Sequence, residues 1–84
     1  MKSDIIKDVA YKISSNLTNV QKFKFYKSAL LFEKTMRGDV DLLHKTRKYL
    51  SQSIEAIADK NARIALLHME RDLIMTEYLA LKSI

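Results

Sequence analysis

The 84-residue sequence predicts an all-α fold, a small antiparallel helical bundle of three or four helices completed by oligomerisation. Three observations carry that expectation. Pro is absent and Gly occurs once, at Gly38, so the residues that most often interrupt a helix are missing from nearly the whole chain. Apolar residues recur at helical spacing, while β-branched residues rarely alternate with polar ones over a strand's length, which argues against a sheet. Hydrophobic residues make up 48% and charged residues 30% of the chain, a foldable mixture rather than that of a disordered polypeptide. Residues 1–84 are expected to form a single domain. A domain this short buries a limited share of its surface. With no Cys it has no disulfide and no Cys-based zinc site to help.

A first helix is expected from about Ser3 to Asn16, with Ser3 as N-cap and Ile5, Ile6, Val9, Ile13 and Leu17 on one side. Ser15-Asn16-Leu17-Thr18 has the composition of a turn, and Thr18 and Gln21 have capping-box spacing. A second helix is expected from about Asn19 to Arg37. Val20, Phe23, Phe25, Tyr26, Ala29, Leu30, Leu31, Phe32 and Met36 nearly encircle it, so it is either central in a bundle or touches partners on two sides. Gly38 is the natural left-handed residue after that helix, and Asp39 is expected to cap the next one.

A third helix is expected from Val40. Val40, Leu43, Leu50, Ile54, Ile57 and Ala58 share one arc, and His44, Lys45, Lys48, Ser51, Gln52 and Glu55 share the other. The pattern favours a break at Asp59-Lys60-Asn61. The alternative is one continuous helix from 40 to 82, roughly 60 Å long. From Asn61 to Lys82 there are two apolar faces. Ala62, Leu66, Met69, Leu73 and Ala80 form one; Ile64, Leu67, Ile74, Tyr78 and Leu81 form the other. A helix with two apolar faces calls for two neighbours, and in so short a chain one of them is expected to come from another molecule.

No apolar run approaches the ~18–20 residues of a membrane span, and the N-terminus lacks the apolar core of a signal peptide. A cytoplasmic protein is expected. The abundance of Lys and Ile fits an AT-rich genome, such as those of some bacteria and phages. Arg37-Gly38-Asp39 spells an integrin-binding tripeptide, but nothing in the sequence indicates secretion. The net charge of +5 sits in one half: residues 1–38 hold eight Lys or Arg against three acids, and residues 39–84 hold seven of each. Any contact with a polyanion is expected to begin in the N-terminal half.

The sequence has no Gly-rich phosphate loop and no Cys nucleophile. His68 and Asp72 lie one turn apart, but two ligands do not make a metal site. No enzyme activity, metal, cofactor or small-molecule substrate is expected. The expected function is that of a small non-enzymatic regulatory, adaptor or inhibitor protein acting by helix-mediated protein–protein interaction. Leu67, Ile74, Tyr78 and Leu81 are the expected interaction residues. A homo-oligomer or another protein is the expected partner, met by a helix in a groove or in an antiparallel helical dimer. The alternative is nucleic-acid binding. Lys22-Phe23-Lys24-Phe25-Tyr26-Lys27 interleaves cations with aromatics, and His44, Lys45, Arg47 and Lys48 form a second basic cluster, 44–48. Against it, Arg is scarce there and most of the aromatics are needed for a core. A membrane-surface role for the same segment is disfavoured, because the helix carrying it is too apolar all round for a simple interfacial helix.

Overall fold

The computed structural model describes residues 16–82, so the expected helix over Ser3 to Asn16 lies outside the described residues. Three α-helices follow in order: α1 (Asn19–Met36), α2 (Leu43–Ala56) and α3 (Lys60–Lys82), with a 3-10 turn at Val40–Leu42 leading into α2. Each helix packs on the other two, and no strand occurs among the described residues. No helix among them is long and apolar enough to cross a membrane.

The start of α1 is built as its sequence suggests. Thr18 Oγ1 accepts from the Gln21 N–H at 3.2 Å, and Gln21 Oε1 accepts from the Thr18 N–H at 3.0 Å, a complete capping box. The same Gln21 side chain donates through Nε2 to the Ala56 carbonyl at 3.3 Å. One amide therefore covers an orphan donor at the start of α1 and an orphan acceptor at the end of α2. At its other end α1 closes on Gly38, with φ of +121°. The Gly38 N–H bonds Thr35 O at 3.1 Å, and the Asp39 N–H bonds Lys34 O at 3.1 Å. These are the two hydrogen bonds of a Schellman cap.

Asp39 does not cap the next helix as its position after Gly38 suggests. Its side chain makes no capping hydrogen bond. The Val40 N–H instead bonds Gly38 O at 2.9 Å, and Asp39 adopts φ −79°, ψ 75°, an inverse γ-turn. The Asp39 backbone carbonyl, not its carboxylate, takes the Leu42 N–H at 3.1 Å. The tight exit from the Gly38 cap thus feeds a 3-10 turn, and the regular helix begins at Leu43 without a side-chain cap.

A break between the last two helices is present, without Gly or Pro, over residues 57–59, slightly before the expected Asp59-Lys60-Asn61, of which Lys60 and Asn61 are already helical. Ile57 ends α2 in an extended conformation, φ −112° and ψ 115°, with its side chain fully buried. Asp59 then starts α3: its Oδ2 accepts from the Ala62 N–H and its carbonyl accepts from the Arg63 N–H, both at 3.0 Å.

The core is formed by Leu17, Phe25, Phe32, Leu50, Ile57, Ala62, Ala65, Leu66, Met69 and Leu73, with Ala29, Leu43 and Ile54 packed at its margin. Each fully buried Leu, Ile or Phe contributes about 1.5–3 kcal/mol. The α1–α2 contact is different in kind. Four hydroxyl residues, Ser28, Thr35, Thr46 and Ser53, are buried along it. The hydroxyl oxygens of Thr35 and Thr46 lie 3.0 Å apart, and Thr35 Oγ1 donates to Leu31 O at 2.9 Å, so Thr46 supplies the proton between the pair. No buried side-chain nitrogen or oxygen is without a hydrogen-bond partner among the described residues.

Candidate interaction surface

The inward face of α3 carries Ala62, Ala65, Leu66, Met69 and Leu73, all buried. Its other apolar face is left open. Leu67, Ile74, Tyr78 and Leu81 are 47%, 44%, 56% and 65% exposed, and Ile64 and Met75 are also exposed. The helix burying one stripe and presenting another follows directly from its two-faced sequence.

The open face is regular. Ile64, Leu67, Arg71, Ile74, Tyr78 and Leu81 succeed one another at intervals of three, four, three, four and three residues. That is the a/d spacing of a coiled-coil seam, with five apolar positions and one cation. The stripe covers about 26 Å of helix axis. Glu70 and Glu77 border it on one side, and His68, Met75 and Lys82 on the other. Glu77 also accepts a hydrogen bond from Arg47 Nη1, an ion pair that ties α2 to α3. Lys82 Nζ lies 5.7 Å from the Tyr78 ring centroid, which places a cation at the C-terminal end of the stripe. No protein-family model, curated protein or solved structure matches this chain.

The two basic clusters lie toward opposite ends of the α1–α2 pair. The hydroxyl pairs Ser28–Ser53 and Thr35–Thr46 make α1 and α2 antiparallel. Lys22, Lys24 and Lys27 therefore lie beside the end of α2, and Lys45, Arg47 and Lys48 beside the end of α1, with the cluster centres about 15 Å apart along the axis and Lys27 and Lys48 about 9 Å apart. Within the first cluster, Phe25 is wholly in the core and is not a platform for a base. Lys27 Nζ sits 4.8 Å from the Tyr49 ring centroid and 5.8 Å from that of Phe23, within cation–π range of both. Arg47 is engaged by Glu77. Lys45 and Lys48 are exposed, whereas Lys22 and Lys24 are half-buried.

No group of three His, Cys, Asp or Glu residues placed to hold a metal occurs among the described residues. Two features of the open α3 face were missed in the sequence, and only the first escapes a reading for apolar residues. Arg71 occupies a seam position, and Met75 and Leu79 widen the exposed apolar surface. The strict three–four alternation was the signal that places Arg71 in the stripe.

Proposed function

We propose that this chain is a small non-enzymatic regulatory, adaptor or inhibitor protein that works in the cytoplasm by binding protein through the outer face of α3, and that the binding completes its bundle. The observation that carries the reading is the seam-like spacing of the exposed residues Ile64, Leu67, Ile74, Tyr78 and Leu81. Scattered apolar residues are ordinary on a protein surface. A periodic row of them along one helix face costs solubility unless something covers it. The lack of Cys agrees with a reducing compartment.

The test uses the immobilised full chain, exposed to an extract of the cells that make it, at low and high salt. Protein retained at high salt, and lost with Leu67→Asp or Ile74→Asp, supports the reading. Nucleic acid released by salt, and lost with Lys22→Ala and Lys24→Ala instead, would replace it with the polyanion reading.

A further inference from the structure

We propose that α3 pairs with α3 of a second copy of this chain, parallel and in register, along Ile64, Leu67, Arg71, Ile74, Tyr78 and Leu81. This rests on the reading of that face as a binding surface and adds what covers it and in which direction it runs.

The charges around the stripe distinguish a second copy in this orientation from the antiparallel one. With Ile64, Arg71 and Tyr78 at a and Leu67, Ile74 and Leu81 at d, Glu70 and Glu77 fall at g, and His68, Met75 and Lys82 at e. In a parallel pair each g residue meets the e residue five positions later on the other helix. Glu77, one carboxylate oxygen of which holds Arg47 of its own chain, then meets the partner's Lys82, twice by symmetry. Arg71 at a lies on the side of the seam where the other helix presents its preceding g residue, the partner's Glu70. The two Arg71 side chains share a layer, and each finds a carboxylate across the seam. Antiparallel pairing instead sets g against g. Glu70 then meets the partner's Glu77, while Arg71, on the e side, faces only the partner's His68 and Met75. Charge complementarity therefore selects the parallel pair. A single cation at one a position is a known device for fixing register, at some cost in stability. The two-fold axis closes the assembly as a dimer.

The chain has no Cys, so an introduced one is unique. Ile64→Cys and Leu81→Cys variants of the full chain are oxidised separately and as a mixture. The parallel pair gives a disulfide-linked dimer with each variant alone. An antiparallel pair gives one only in the mixture, and that result would overturn the orientation. Sedimentation velocity on Cys-free protein should show the mass rising from one copy to two with concentration. Ile74→Asp should hold it at one copy with unchanged helical circular dichroism, and Lys82→Glu should weaken association several-fold. A chain that stays monomeric at every concentration overturns the second-copy inference. If that monomer still captures another protein, and Ile74→Asp abolishes the capture, the binding-face reading survives it. If wild type and Ile74→Asp agree in both mass and capture, both fall.

Discussion

Ser28 and Ser53 face each other across the α1–α2 interface with their hydroxyl oxygens 2.9 Å apart. Each also lies within hydrogen-bond reach of the carbonyl four residues back, Lys24 O at 2.7 Å and Tyr49 O at 3.0 Å. Seven residues along on one helix and seven back on the other, Thr35 and Thr46 form a second hydroxyl pair at 3.0 Å, in which Thr35 also reaches the carbonyl four residues back, Leu31 O at 2.9 Å. Small side chains let the two helices approach closely, and the hydroxyl pairs keep the buried polar atoms satisfied. Ser28→Ala and Ser53→Ala are each expected to cost about 1 kcal/mol. The double variant should cost less than the two together, because they break one shared bond. Urea unfolding of the three variants measures this coupling.

Gly38 is expected to tolerate no side chain without loss, although space is not the obstacle. An added Cβ would meet nothing within 4 Å, so the cost comes from the positive φ alone. Gly38→Ala should destabilise by about 1 kcal/mol, read as a lower midpoint in thermal unfolding.

Asp39 and Asp59 give opposite expectations despite both preceding helical segments. Asp59 accepts the Ala62 N–H, so Asp59→Ala should cost about 1 kcal/mol. Asp39 makes no side-chain cap, so Asp39→Ala should stay within about 0.5 kcal/mol of wild type. Parallel denaturant titrations of the two variants compare them directly.

Lys27 holds a packing role between two aromatic rings. Lys27→Ala is expected to cost about 0.5–1 kcal/mol of stability and to leave association through α3 unchanged. Thermal unfolding and sedimentation on the same sample separate the two effects.

The parts of the fold that were legible in the sequence are those set by residues a few positions apart. Thr18 with Gln21 marked the start of α1, and Gly38 marked its end, because capping depends on local backbone geometry. The two faces of α3 were legible for the same reason: helical spacing sorts residues without reference to any neighbour. Asp39 was misread because the tight turn after Gly38 consumes its geometry, which composition does not reveal. The hydroxyl pairs of α1 and α2 were illegible, since Ser and Thr are common on solvated helix faces and only packing shows which ones meet. The sequence shows the basic positions as two clusters but not how far apart they sit. Antiparallel packing separates Lys22–Lys27 from Lys45–Lys48, and Tyr49 and Glu77 occupy two of the cations.

The most direct test of the outer α3 face is the binding behaviour of Ile74→Asp, a change at a position 44% exposed and outside the core. Sedimentation and partner capture, run on this variant and on wild type under the same conditions, should show association or capture only for wild type, with equal helix content in both. Undiminished association and capture by a folded Ile74→Asp chain would contradict the assignment of that face as the site of binding.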